Sequence, residues 1–333
     1  MQARDSETIS IKEPSLKSRF DIIKTLGEGA VGAVYLVRDR EFNNKKVALK
    51  TLVNEIDLDE NTYDRFKQEI LILQEINHPN IVKAYDLIEE HGRIAYTMEY
   101  VEGSDLGSLY KHHEFDYEQI ESIVVQVLSA LSALHSKGIW HRDIKLENII
   151  LSKDGSVKLA DLGLVKNEFN KDFTKTGVLL GTAQYMPPEY VMKAKYDARG
   201  DIYAVGVVLF ELLRKRRRYP NQPGNKIIEM LIKHNFEVPQ EELLGIPQHL
   251  VKIVNQSVQP DLSQRFQSAE EMIKAFESAD YNKIQDEQLS MCSTINMSQL
   301  REEQKGSSSK VKYLWYGVGL IAIVAACAVY FTA

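Results

Sequence analysis

His141-Arg-Asp-Ile-Lys-Leu-Glu-Asn148, with Asp161-Leu-Gly163 after it, decides how this sequence is read. The first stretch follows a helical pattern and precedes the strand-like run Ile149–Leu151, which makes it a loop between two ordered elements. Asn148 and Asp161 carry oxygen donors of the kind that share a hard cation such as Mg²⁺ with water and with the phosphate oxygens of a substrate.

Upstream, Ile120, Ile123, Val124, Val127, Leu128, Leu131 and Leu134 form a wide apolar helical face, with Gly138 past its end. Nearer the N-terminus, Gly27-Glu-Gly29-Ala-Val-Gly32 has the G-x-G-x-x-G spacing that lets backbone N–H groups approach phosphate oxygens. In a dinucleotide-binding unit the last glycine would open a helix. Here Ala33-Val-Tyr-Leu-Val37 follows, a β-branched and aromatic run that favours a strand, so the glycines read as a flap between strands. A solvent-facing hairpin is the competing reading. Lys46-Val-Ala-Leu-Lys50 ends another strand on a lysine, and Glu69 lies in the helical pattern Tyr63–Ile76, where Phe66, Ile70 and Leu73 share a face. Lys50 and Glu69 are expected to pair and aim the ammonium at phosphates; a surface ion pair of little worth is the alternative. Further strands are predicted near Ile81–Ile88 and Arg93–Val101, and helices at Asp201–Leu213, Asn225–His234, Pro247–Gln256 and Ser268–Ser278. Strands with one helix followed by helices indicate two lobes of unlike character.

In this order the motifs resemble the signature set of the eukaryotic-type (Hanks-type) serine/threonine protein kinases, over Phe20 to about Ser278. The resemblance implies an α+β, two-lobed kinase fold: a β-rich N-lobe over 20–98, a hinge at 99–103 and a mainly helical C-lobe over 104–278. It implies that Gly27, Glu28, Gly29, Ala30, Gly32 and Val34 cover ATP and that Ala48 lines the adenine pocket. Lys50, paired with Glu69, would hold the α and β phosphates, Met98 would be the gatekeeper, and Glu99 and Val101 would offer backbone groups to adenine. Asp143 would orient the acceptor hydroxyl and take its proton, and Lys145 would neutralise charge developing on the γ-phosphate. Asn148 and Asp161 would bind Mg²⁺ or Mn²⁺. Glu189, in Pro187-Pro188-Glu189, would pair with Arg265, and Asp201 has its family place between them. Leu162 and Pro187 stand where the family usually has Phe and Ala; both are apolar packing positions, and the polar set is complete.

Lys145 and Gly181-Thr182 are similar to the branch that phosphorylates serine and threonine, with Thr182 bonded to the catalytic Asp and Lys. Thr174 and Thr176 are candidates for autophosphorylation, since Arg142 is the kind of cation that a phosphorylated loop pairs with. Arg214-Lys-Arg-Arg-Arg218 reads as a solvated loop behind a helix C-terminus, or as a contact for anionic lipid heads. Protein substrates are the expected partners. A catalytically silent scaffold and a small-molecule phosphotransferase are the competing functions; the complete polar set argues against the first, and the Gly181–Glu189 segment against the second.

With 41 Lys and Arg against 47 Asp and Glu, the net charge of −6 provides no overall cationic field, and nucleic acid is not an expected partner. Cys292 and Cys327 are too few and too far apart for a disulfide framework or a cysteine zinc site. The last 21 residues, Tyr313 to Ala333, contain no charged side chain. As a helix they would extend roughly 31 Å, against about 30 Å of bilayer hydrocarbon. Trp315, Tyr316, Tyr330 and Phe331 sit near its ends, and Lys305, Lys310 and Lys312 precede it, an asymmetry that places the preceding chain on the cytoplasmic side. A transmembrane anchor over 313–333 is therefore expected, after a polar tail over 1–19, the kinase domain and a flexible linker over 279–312, with no secretory signal or outer domain. Ala322 and Ala326 form a small-xxx-small pair that suits a homodimer.

Overall fold

A computed structural model describes residues 18–29, 32–52, 60–90, 93–162 and 183–278. Ala30, Thr174, Thr176, Thr182, the linker and the 313–333 segment lie outside the described residues, as do the side chains of Phe66 and Glu69. Among the described residues no helix is long and apolar enough to cross a membrane.

The first part of the chain is a five-stranded antiparallel sheet with spatial order β1-β2-β3-β5-β4. Its strands are β1 (Phe20–Gly29), β2 (Gly32–Asp39), β3 (Lys45–Leu52), β4 (Ala84–Glu90) and β5 (Arg93–Glu99), with helix α1 (Glu60–Glu75) between β3 and β4. Alternation sorts the side chains. Val47 and Leu49 join Phe20, Tyr35, Val37 and Ala95 on one face, whereas Ala48 joins Ile94, Tyr96, Met98 and Ile70 of α1 on the other. Lys50, two residues after Ala48, falls on the α1 face, in register with Val34 of β2 and Tyr96 of β5. Period-2 patterning therefore sends the lysine toward α1. Gly29 pairs with Gly32, so the glycine stretch is a strand-to-strand hairpin and not the start of a helix.

The helical part is built on α3 (Tyr117–His135) and α5 (Ala198–Arg214). An Asp116–Gln119 capping box starts α3. Beyond its end Gly138 has φ +73°, the left-handed geometry that glycine adopts without cost. α5 is buried on all sides from Gly200 to Leu212, as expected for a helix that other elements surround. Where it meets α7 (Gln248–Ser257), a Cβ on Gly206 would lie 2.1 Å from Ser257 Oγ, so only glycine permits this approach. α6 (Gly224–Lys233) and α8 (269–278) complete this core, to which Ile227, Leu231, Met272 and Phe276 contribute. A short three-stranded sheet, β6 (Gly103–Asp105), β7 (Ile149–Ser152) and β8 (Val157–Leu159), lies among these helices in the chain, with the one-turn helix α2 (Leu106–Leu109) after β6.

Several expectations are corrected. α1 begins at Glu60, before Tyr63. The strand expected from Ile81 begins at Ala84, and Ile81 makes one isolated parallel bridge to Leu159. Pro188–Lys193 forms a further helix, α4, too short to carry a periodic signal. The basic run is not a uniformly solvated loop and its cations are not all turned outward. Lys215 and Arg216 are exposed and paired with Glu114 and Glu242, but Arg217 is only partly exposed and Arg218 is buried.

Candidate active site

The His141–Asn148 loop is held by Asp201, the fully buried carboxylate in the first turn of α5. Asp201 Oδ2 accepts from His141 N at 2.8 Å and Oδ1 from Arg142 N at 2.8 Å, while His135 Nε2 and Tyr196 Oη lie at 2.9 and 2.7 Å. These bonds hold Arg142 at φ +62°, a conformation that costs a non-glycine residue about 1 kcal/mol or more. Burial pushes the Asp201 carboxyl up, but His135 and Tyr196 outweigh it and hold the group below its ordinary 3.8. The stabilisation is therefore complete above pH 3.8 and is lost as pH falls through the lower folded value. Asp201→Asn is expected to cost about 3 kcal/mol at neutral pH. In urea unfolding the gap from the unaltered chain narrows only on acidification below 3.8; a gap that does not depend on pH would count against this assignment.

His141 is fully buried. Its Nε2 donates to Ala160 O at 3.1 Å and its Nδ1 accepts from Asp143 N at 3.3 Å, a pattern that requires the neutral ring. Burial lowers its pKa in agreement. Ala160 N also donates to Asn148 O at 2.9 Å. Two bonds on Ala160 thus stitch the approach to Asp161 onto the loop.

Inside this frame Asp143 Oδ2 receives Lys145 Nζ at 3.0 Å and Asn148 Nδ2 at 3.1 Å, and Asn148 Nδ2 also donates to Asp143 O at 2.7 Å. The acid, the lysine and the amide named from sequence converge on one carboxylate oxygen. Because Asn148 spends its NH₂ on Asp143, its Oδ1 is the atom suited to a cation. From the sheet, Lys50 Nζ reaches Asp161 Oδ1 at 2.6 Å, and Asp161 sits at φ +55°. The expected Lys50–Glu69 pair lies outside the described residues; the partner that the structure does give Lys50 is Asp161. Burial works against the Lys50 ammonium, yet the Asp161 and Asp143 carboxylates hold it above its ordinary range. Burial also pushes the Tyr96 phenol up and keeps it neutral, which leaves the carboxylate as the charge that acts.

Among the described residues no group of three or more His, Cys, Asp or Glu side chains is gathered to hold a metal. One carboxylate, Asp161, and one amide oxygen, on Asn148, are a donor set that suits Mg²⁺, which keeps waters and takes substrate phosphate oxygens. The residues fit that ion. Val34, Ala48 and Met98 lie on the same side of the sheet as Lys50 and form an apolar floor. Glu99 N donates to Lys83 O at 2.8 Å and its carboxylate receives Lys158 at 2.8 Å; Val101 follows in the link toward β6. Farther away, Arg265 Nη1 and Nη2 meet Glu189 Oε1 and Oε2 at 2.8 and 3.1 Å, the bidentate pair expected from sequence. Sequence reading did not foresee that Tyr185, Glu211 and Arg217 form a largely buried group beside Glu147, since no short-range pattern links them.

Comparison with known proteins agrees with this geometry. A family model described as protein kinase domain matches residues 20–276. The chain is 31% identical over 259 residues to a probable serine/threonine-protein kinase PknB of Lactococcus lactis, covering 77% of this chain and 41% of that protein. It is 34% identical over 273 residues to a probable serine/threonine-protein kinase of Streptomyces coelicolor, covering 79% and 40%. With the serine/threonine-protein kinase PrkC of Bacillus subtilis it shares 31% identity over 261 residues, covering 77% and 40%. It thus spans about two fifths of the length of these relatives. The match reaches from the first strand of the sheet to the last helix of the core, through every motif that meets at Asp143 and Asp161, and the chain belongs to the protein kinase family.

Proposed function

We propose that this chain is a Mg²⁺-dependent serine/threonine protein kinase that transfers the γ-phosphoryl group of ATP to protein hydroxyls. The observation that carries this is the convergence of Lys145 and Asn148 on Asp143 beside the Lys50–Asp161 pair. Asp143 orients the acceptor hydroxyl and takes its proton as the oxygen attacks phosphorus in line with the departing β-phosphate oxygen. Lys145 stays within reach of the transferring group and offsets charge there, and Lys50 holds the phosphates of the nucleotide. Asn148 and Asp161 would hold a Mg²⁺ ion, which when bound would supply positive charge to offset the negative charge developing on the phosphate oxygens. Val34, Ala48 and Met98 exclude water from the adenine side, with Glu99 and Val101 presenting backbone groups to the base.

The full chain incubated with Mg²⁺, labelled ATP and a mixed peptide library is expected to yield phosphoserine and phosphothreonine without phosphotyrosine. No incorporation, or label on tyrosine alone, would reject this reading. Arg142 lies over the Trp140 ring at 5.4 Å, and its Nε is buried with no hydrogen-bond partner among the described residues, which supports a role in receiving a phosphorylated loop. Phosphopeptide mapping is expected to find Thr174 or Thr176 modified in the unaltered chain and unmodified in Asp143→Asn.

The same proposal includes a membrane tether at 313–333, with the kinase domain on the cytoplasmic face. Its support is the uncharged run of 21 residues, its aromatic ends and the lysines before it. The full chain should sediment with membranes and resist alkaline extraction, whereas a chain ending at Lys312 should be released; equal release of both would remove the tether.

A further inference from the structure

The proposed function uses none of the five cations of the basic run, of which Arg217 is the best connected. Its Nη1 donates to Tyr185 Oη and, at 3.1 Å, to Glu211 Oε2; its Nη2 donates to Glu147 Oε1; and its guanidinium lies 5.0 Å from the centre of the Tyr110 ring. These partners come from four places in the chain. Glu147 belongs to the 3₁₀ turn Leu146–Asn148, Tyr185 ends the 3₁₀ turn Ala183–Tyr185, Glu211 is the fully buried carboxylate of α5, and Tyr110 caps α2. Tyr185 Oη in turn donates to Glu211 Oε2 at 2.5 Å.

We propose that Arg217 is a positioning residue: one guanidinium clamps the catalytic turn Leu146–Asn148 and the Ala183–Tyr185 segment together on the base formed by α5. The inference rests on the kinase reading for what the turn does. The chain of contacts is short. Glu147 is bonded to Arg217; its neighbour Asn148 is bonded to both the backbone and the carboxylate of Asp143; and Asp143 is the proposed base. A planar guanidinium can span two carboxylates, a phenol and a ring face at once, which a point-like ammonium cannot do. Burial pushes the Glu211 carboxyl up to about 7, with Arg217 foremost among the groups that oppose the shift.

The test uses the full chain with Arg217→Met, Arg217→Lys, Glu147→Gln and the double variant Glu147→Gln/Arg217→Met. At a temperature well below the melting point of each, Arg217→Met is expected to lower kcat about tenfold or more with KM for ATP within about twofold, as misplacement of a reacting group does. Arg217→Lys should restore only part of the loss. Glu147→Gln should also lower kcat, and the double variant should be no slower than Arg217→Met alone, because both remove one link. Hydrogen exchange provides a readout independent of activity. In Arg217→Met, amides of 144–149 and 183–186 should lose protection while α3 keeps its own, a local pattern that general destabilisation does not produce. Unchanged exchange at both segments, or kcat within about twofold of the unaltered chain, overturns the clamp. If Arg217→Met does not fold, Glu147→Gln decides by the same two measurements, since the Glu147 side chain is 46% exposed and its neutral form leaves no buried charge. Inactivity of the unaltered chain would count against the kinase reading, while the exchange pattern would still decide the clamp.

Discussion

Asp143→Asn is expected to lower kcat by about 10²–10⁴-fold, the range that a positioned general base contributes, while leaving KM for ATP within about twofold. The substitution removes almost nothing except a proton acceptor. Asn148 still donates to the backbone carbonyl of residue 143, and the backbone bonds from His141 and Arg142 to Asp201 are untouched, so the loop keeps its course. What disappears is the charge that Lys145 and Asn148 both hold through Oδ2. An amide cannot take the hydroxyl proton, and Lys145 loses its nearest anion. Lys50→Met provides the contrast. It deletes the partner of Asp161 at 2.6 Å on the nucleotide side, so ATP affinity should fall together with kcat. Steady-state kinetics and calorimetric nucleotide binding on the three proteins separate the two effects. Full activity in Asp143→Asn would remove Asp143 from the chemistry, and an unaltered chain that binds ATP without transferring phosphate would favour the scaffold reading.

The polar residues of the candidate site were the most legible, because the kinase resemblance assigns them by residue type and spacing and not by packing. Asn148 and Asp161 were picked out as oxygen donors and Asp143 and Lys145 through the kinase resemblance, and the structure brings Lys145 and Asn148 onto Asp143. The structure adds that Ala48 and Lys50 share one side of the sheet, as alternation along β3 requires. Contacts made across long stretches of chain were legible only where the family resemblance supplied them, as for Glu189 and Arg265. The Lys50–Asp161 bond joins positions 111 residues apart and was not foreseen, while the expected Lys50–Glu69 pair lies outside the described residues. The basic run failed for a related reason. An arginine is by default a solvated residue, and only partners elsewhere in the chain reverse that default: Glu147 lies 70 residues before Arg217, and Tyr185 lies 32 before it. Even Glu211, six residues from Arg217, reads as one polar letter in an apolar helix until α5 is seen to be buried on every side.

Arg265→Met is expected to destabilise the chain by about 3–5 kcal/mol, the largest stability loss foreseen for a single side chain. Arg265 is 1% exposed, and all five of its N–H donors are engaged. Two go to the Glu189 carboxylate at 2.8 and 3.1 Å, one to Arg199 O at 2.8 Å, and two to Gln259 O at 3.1 and 2.9 Å. Its flat face lies 5.2 Å from the Tyr203 ring centre. One side chain therefore ties the first turn of α4, the start of α5 and the segment after α7. Methionine fills the volume but leaves Glu189, itself 9% exposed, as a buried anion without its cation, together with carbonyls that lose their donors. For a domain of this size each kcal/mol moves the melting temperature by about 2–4 °C, so a fall of about 10 °C is expected in a thermal melt. Arg265→Lys should recover little of it, since one ammonium cannot replace a bidentate fork and the remaining bonds together. The added change Glu189→Gln should recover more, because it removes the stranded charge. A melting temperature within about 2 °C of the unaltered chain for Arg265→Met would mean that solvent reaches Glu189 in solution, and the buried pair would then carry no stability.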